Sequence, residues 1–417
     1  YTRTKPYTDS NATVSADSGP WYMSLTGRDN RGIDQVSTEE LSKQPEVKLA
    51  FLPHAFYNTP LWLSGDAVGT SFYSTALPGA STLNRVDVSP TISTPFNLTR
   101  FFNVTPYVGG HQTYYDNNTK NTGPVSTSYY TTGLGIEGPR IFKIFKAKSD
   151  SYKHTITPKL DYVYIPGYEV DGTDRLKAVQ MDGVDNSSPQ SVLSFTLLNR
   201  VFSKKRGDEI FWLSLQQGYD FNQVPGAGTG TSVASSTVGT PTTPGPYVPL
   251  QFQLRSKPVG YFIFNMDMAF NHYLGIPDTM SQELGFAAPE SAFYLSLDRS
   301  YSRQTLSVSP TGISTYFTQA TTFDSGLLGF RISSKYSAEA SAIYDEILQT
   351  YAGTMFALKF NSCCWGATLN AGTHPTTILN SNGTLSQTTE TKFSFSINLK
   401  GIGDIGEKAT PLLARKL

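Results

Sequence analysis

Cys363 and Cys364 are neighbours in the run Asn361-Ser362-Cys363-Cys364-Trp365-Gly366, and they are the only cysteines in the 417 residues. Thiols do disulfide and metal chemistry, yet adjacent ones are badly placed to bond each other. A disulfide prefers Cα atoms about 5.5 Å apart, whereas consecutive Cα atoms sit about 3.8 Å apart. Either the pair is inert, packing as small hydrophobes on a strand, or its partners lie outside this sequence. The other residues able to do chemistry are scattered. The five histidines, at 54, 111, 154, 272 and 374, form no HxH, HxxxH or HExxH spacing and so define no metal site. No GxSxG elbow occurs. Gly226-Ala227-Gly228-Thr229-Gly230 imitates a phosphate loop, but low-complexity sequence surrounds it and no helical pattern follows. Nothing here supports an enzyme, and no cofactor is implied.

The elements that must position these residues are strands. Aromatic residues make up 13% of the chain and charged ones only 16%, with 35 glycines, a composition that favours pleated sheet over helix. Lys+Arg and Asp+Glu balance at 33 each, so the composition calls for no basic face and nucleic acid is not an expected partner. No run of apolar residues is long enough for a transmembrane helix. The mean hydropathy of −0.27 resembles that of a water-soluble protein, but a transmembrane barrel alternates apolar-out with polar-in and averages its hydropathy away.

That alternation is visible in several runs. From Ile156 to Tyr164 the even positions are apolar and most odd ones polar, and Phe262 to Phe270 places Phe, Phe, Met, Met and Phe at even positions. Val86 to Ile92 and Phe393 to Lys400 repeat the pattern. Period two marks strands with one apolar and one polar face, and roughly 16–20 such segments are expected, with 1–20 as a loop. Ala338 to Thr350 is the one helix candidate and fits a strand pair as well. Long polar connections (Asp116 to Ser126, Glu169 to Gln190, Phe221 to Tyr247) contrast with short ones such as Lys205-Arg206-Gly207-Asp208. Long loops on one rim and tight turns on the other suit an outer-membrane barrel. The fold class expected is therefore all-β: an antiparallel transmembrane β-barrel, incomplete in this chain. On its polar face are expected Arg85, Asp87, Lys159, Asp161, Asn265 and Asp267, lining a water-filled or partly plugged lumen, or one that carries an amphiphile's polar head. The four tryptophans and many tyrosines read as interface girdles, with core packing as the alternative.

Five blocks, in order, carry a resemblance. They are Arg85 to Pro95, Val104 to Gly109 with Thr113-Tyr114-Tyr115, Lys153 to Pro166, Leu198-Asn199-Arg200-Val201-Phe202 with Leu215 to Phe221, and Ser362-Cys363-Cys364-Trp365. Together they resemble the LptD family, the lipopolysaccharide-assembly proteins of the Gram-negative outer membrane, over the stretch from about residue 40 to the end. The resemblance implies a kidney-shaped barrel of about 26 strands, preceded by a periplasmic β-jellyroll. It implies insertion of lipopolysaccharide into the outer leaflet, with sugar passing through the lumen and lipid through a lateral gate between first and last strands. Implied partners are lipopolysaccharide, outer-membrane lipid, an LptE-type plug lipoprotein and a periplasmic LptA-type bridge. It implies disulfides from Cys363 and Cys364 to an N-terminal domain. Residues 1–417 then read as the C-terminal part of the barrel, without the jellyroll and first strands. The last strand, about Lys392 to Lys400, would place Phe393, Phe395, Ile397 and Leu399 at the gate. Alternatives are a passive porin or structural barrel, and a secreted β-sandwich adhesin.

Overall fold

The computed structural model describes residues 7–32, 42–73, 82–117, 123–166, 169–170, 189–222, 245–287, 293–303, 305–308, 315–318, 320–379, 385–399 and 403–406. Twenty-five strands run through them, 23 in a single sheet, and no helix occurs among the described residues. Each strand pairs antiparallel with its successor in the chain, so the sheet is one meander. Phe96–Thr99 and Ile141–Lys146 continue interrupted strands, and Glu169–Val170 is a two-residue fragment against Ser128 and Thr127. Without these three, the meander falls at the upper end of the expected range. It is not closed: among the described residues nothing pairs Tyr7–Ser18 with the C-terminal strands. Nor does a second sheet pack on it, since the other described pair is the hairpin Thr305–Val308 and Thr315–Thr318. A sandwich needs two facing sheets, so the adhesin reading fails here.

Two expectations need correction, and one alternative is decided. Tyr7–Ser18 is a strand and not a loop; it pairs with Trp21–Gly32 from Tyr7↔Gly32 to Ser18↔Trp21. Its polar composition hid it, because backbone pairing through a tight turn at Gly19, where φ is +57°, overrides side-chain preference. Of the two readings of Ala338 to Thr350, the strand pair is the one found, as the hairpin Tyr336–Asp345 followed by Thr350–Asn361. The strand predicted at Lys392 to Lys400 runs Leu385–Leu399 and is not the last: Gly403–Gly406 pairs with it from Ser396↔Gly406 to Leu399↔Gly403. Two glycines and only four residues make that final strand invisible to a periodicity search.

Successive connections alternate between the two ends of the sheet. One end carries only short turns, including 19–20, 56–61, 147–150, 204–208, 332–335 and 362–364. All the long connections, 166–189, 221–249 and 303–320 among them, reach the other end. Most of 221–249, including the glycine-rich run, lies outside the described residues. The tryptophans cluster by end: Trp21, Trp62, Trp212 and Trp365 all begin or nearly begin strands at the short-turn end.

Burial is inverted relative to a water-soluble domain. On Thr82–Ser93, Leu83, Arg85 and Asp87 are buried, while Val86 and Ile92 are 51% and 42% exposed. Elsewhere Leu25, Leu49, Phe195, Leu284, Leu297, Phe356 and Leu369 are exposed, and Ser24, Thr70, Thr157, Glu283, Ser296 and Asn370 are buried. Water punishes such a surface and hydrocarbon rewards it. The apolar face therefore meets lipid.

The interrupted strand Val125–Glu137 and Ile141–Lys146 turns at Gly138, whose φ is +114°. A Cβ there would lie 2.1 Å from the Phe101 carbonyl oxygen. Gly138→Ala is expected to destabilise by at least about 2 kcal/mol, through strain and forced backbone displacement. A fall in the urea midpoint of the lipid-embedded protein checks it; an unchanged midpoint contradicts it.

Candidate functional site

Residues directly opposite in a ladder share a face. Following the register from strand to strand puts all six predicted polar residues on one side. Asp87 faces Thr113, which faces Thr127; Glu137 and Gly135, of the same parity as Thr127, face Lys159 and Asp161. Lys159 faces Thr196, then Gln216, then Gln251, whose strand-mates Gln253 and Arg255 face Asp267 and Asn265. The face is continuous from the N-terminal third of the sheet to its middle. Trp212, opposite Arg200, falls on this polar side, whereas Trp21 and Trp365 fall on the apolar side. The girdle expected of all the tryptophans is formed by only some of them.

Charges on this face are compensated across strands. Arg255 Nη2 donates to both oxygens of Asp267, at 2.9 and 2.6 Å. Lys159 Nζ lies 3.1 Å from Glu137 Oε2, and Asn265 Nδ2 donates to Glu283 Oε2 at 2.8 Å. Asp161 is exposed on the same side. The tightest group surrounds Asp87, which is 5% exposed: Thr113 donates its hydroxyl to Oδ2 at 2.7 Å, and His111 Nε2 lies 2.6 Å from the same oxygen. The His111 ring stacks on Tyr129 at 4.6 Å. Arg85, 2% exposed, sets its guanidinium 4.9 Å from the centre of the Phe72 ring. In the sequence His111 falls in no metal-ligand spacing and has no assigned role. No spacing could have linked it to Asp87, because the pairing register alone brings them together.

Cys363 and Cys364 do not lie on a strand. They occupy the turn between Thr350–Asn361 and Trp365–Leu379, at the short-turn end, where Ser362 N–H donates to the Trp365 carbonyl at 2.8 Å. Both are exposed, with Sγ atoms 2.8 Å apart. A turn exposes both neighbours at once, whereas a strand would point them to opposite faces. At the C-terminal edge, Phe393 and Phe395 are 72% and 53% exposed, and Ile397 is half-buried. The side chain of Leu399 lies outside the described ones.

Another short turn shows how this end is pinned. Asp150 accepts from the Ser203 hydroxyl, and from the N–H groups of Lys205 at 2.8 Å and Ser151 at 2.6 Å, tying two hairpins together. The Ser203 hydrogen bond is the main cause that holds the Asp150 carboxyl below the usual carboxylate range.

A meander with a lipid-facing apolar side, a polar opposite side and asymmetric ends defines an outer-membrane β-barrel protein. A profile of the LptD family, described as LPS transport system D, matches residues 1–325. The chain belongs to the LptD family, a family of transport proteins and not of enzymes, and so to the Gram-negative outer membrane. The LPS-assembly protein LptD of Coxiella burnetii (strain RSA 493 / Nine Mile phase I) is 21% identical over 391 residues, covering 88% of this chain and 44% of that protein. The chain thus spans less than half the length of this relative. Among solved structures, the siderophore receptor PirA from Acinetobacter baumannii has a TM-score of 0.43 at 9% identity, covering 94% of this chain and 71% of that one. The FrpB iron transporter from Neisseria meningitidis (F5-1 variant, apoprotein) has a TM-score of 0.42 at 10% identity, covering 95% and 72%.

Two outcomes are expected. Asp87→Ala removes the acceptor of the buried Thr113 hydroxyl and the partner of His111 and is expected to cost about 2–3 kcal/mol, while Asp267→Ala, in a pair more than one-third exposed, costs about 1 kcal/mol or less. Urea unfolding gives the order, and equal losses would contradict it. Because the folded Asp150 carboxyl titrates below its unfolded value of about 3.9, its stabilisation is complete above that pH and is lost as pH falls through the lower, folded value. Hydrogen exchange at the Ser151 and Lys205 amides should accelerate only in that acidic window, and in Asp150→Asn the acid dependence should vanish.

Proposed function

We propose that this chain forms part of a barrel that inserts lipopolysaccharide into the outer leaflet, with sugar moving along the polar face and lipid leaving through a lateral gate. The observation that carries the reading is the unbroken polar face behind an apolar surface in a chain of the LptD family. A hydrated sugar needs hydrogen-bonding groups along its path, and acyl chains need an exit that avoids them. Arg85, Asp87, Lys159, Asp161, Asn265 and Asp267 would line the sugar's path. Leu385–Leu399 would form one side of the gate, with Phe393, Phe395, Ile397 and Leu399 along it; the Gly403–Gly406 strand covers its edge only from Ser396 onward. An open sheet edge in lipid leaves backbone groups unpaired, so a working barrel has to pair both edges of this meander.

Cys363 and Cys364 would bond cysteines of an N-terminal domain outside these residues, since the short-turn end is the periplasmic end of such barrels. An LptE-type lipoprotein inside the barrel and an LptA-type bridge to the N-terminal domain complete the proposed assembly. In cells depleted of their own family member, the full-length protein is expected to restore surface lipopolysaccharide. On non-reducing electrophoresis it should run with both thiols oxidised, and Cys363→Ser with Cys364→Ser should sharply lower the restoration. Ion conductance without restored lipopolysaccharide would favour a passive porin, and free thiols in the mature protein would overturn the disulfide assignment.

A further inference from the structure

The short-turn end carries a sheet edge that the polar face and the gate leave unused. Ile141–Lys146 pairs with Ser151–Ile165 on one side, from Ile141↔Ile156 to Lys146↔Ser151. On its other side the neighbouring strand has already ended: the ladder of Phe102–Tyr115 stops at Asn103↔Glu137, and Phe101 abuts Gly138. Among the described residues no further strand takes that place. About 20 Å of backbone edge therefore stands open. Lys143 lies opposite His154 on the apolar side, and two ionisable residues there belong at head-group depth or beyond. Water, and not hydrocarbon, meets this edge.

The edge is the tripeptide Ile-Phe-Lys twice over, and all six side chains are exposed. Register puts Phe142, Ile144 and Lys146 on the polar side with Thr155 and Lys153, and Ile141, Lys143 and Phe145 on the other. Apolar groups are thus bare on both faces. The hairpin carries four lysines, at 143, 146, 148 and 153. Its one carboxylate, Asp150, accepts from the Ser203 hydroxyl and from the amides of Lys205 and Ser151. Lys143 and Lys153 lie over the Phe145 and Phe142 rings at 5.1 and 5.2 Å, and none of the four lysines is ion-paired among the described residues. The compensation seen on the polar face is missing here.

We infer that Ile141–Lys146 is a docking edge for an extended acidic segment of a partner protein, which adds to the sheet as one more strand. Main-chain hydrogen bonds along the edge would supply affinity, and side chains the selection. Lys143 and Lys146 are three positions apart and so point to opposite faces. A matching strand carries carboxylates at the same spacing, Glu-x-x-Glu, with β-branched residues between them to cover Ile141, Phe142, Ile144 and Phe145. A second copy of this chain would bring four more lysines and be repelled. Anionic lipid heads offer charge but no ladder, and a bilayer surface can cover only one face of the hairpin. The inference is independent of the route that lipopolysaccharide takes.

The test is fluorescence anisotropy of a labelled peptide, Thr-Val-Glu-Val-Val-Glu-Val-Thr, titrated with full-length protein in phosphatidylcholine nanodiscs. Saturable binding to one site is expected, weakening as salt rises. The peptide with lysine in place of both glutamates should bind at least about ten-fold more weakly. So should the glutamate peptide N-methylated at its four central residues, which keeps both charges and loses the ladder donors. Lys143→Glu combined with Lys146→Glu should reverse the preference between the two unmethylated peptides, with the heat-dependent gel mobility of the folded barrel unchanged. Equal binding of the N-methylated peptide would reduce the site to loose charge attraction and overturn it. Loss of peptide binding when phosphatidylglycerol replaces part of the phosphatidylcholine would assign the hairpin to membrane head groups and also overturn it. So would a protein that binds no peptide, or one whose copies cross-link to each other through Phe142.

Discussion

Hydrocarbon offers no partner for a backbone N–H or C=O, and every other feature of this structure follows from that. The polar backbone must be satisfied by neighbouring strands, so the chain commits to an antiparallel meander of strands mostly ten or more residues long. Prolines and glycines mark where the ladder is interrupted. It passes from Val88↔Gln112 to Thr91↔Gly109 across Pro90, and it breaks at Gly138 before Pro139. At the next interruption Thr94 N–H reaches the Pro106 carbonyl at 3.0 Å and bridges the gap. A proline has no N–H to lose, so it removes a ladder bond without leaving a buried donor unpaired.

Once register is set, side-chain chemistry sorts itself by face. Period two gives each strand one side for lipid and one for polar groups, and the pairing adds these sides into continuous surfaces. The polar surface is well compensated: Asp87 with His111 and Thr113, Lys159 with Glu137, Asn265 with Glu283, Asp267 with Arg255. None of these pairs needs to be strong to matter. Compensation keeps a polar face from becoming a field of one sign, which would trap or repel a charged sugar.

Much of this was legible in the residues. Alternation in Phe262–Asn271 and Ser151–Ile165 foretold strands, and the odd–even parity of Arg85, Asp87, Lys159, Asp161, Asn265 and Asp267 foretold a shared face. Tyr7–Ser18 was hard to read as a strand, because only Ala12, Val14 and Ala16 supply its apolar side and its first half is polar throughout apart from Tyr7. The turn holding Cys363 and Cys364 was missed although Asn361, Ser362 and Gly366 beside them are turn-forming residues; the Ser362–Trp365 hydrogen bond closes it.

What the sequence determined by itself is local: strand identity, face polarity and the family blocks. These depend on neighbours one to four residues apart, which composition and period report directly. The tertiary structure decided which distant residues meet. His111 with Asp87, Arg299 with Glu346, and both thiols exposed at one rim depend on register between strands 20 to 50 residues apart or on how a turn closes. A shift of one residue in pairing would exchange every inward and outward side chain while leaving the sequence pattern unchanged. Register is a property of the assembled sheet, and so is every contact that depends on it.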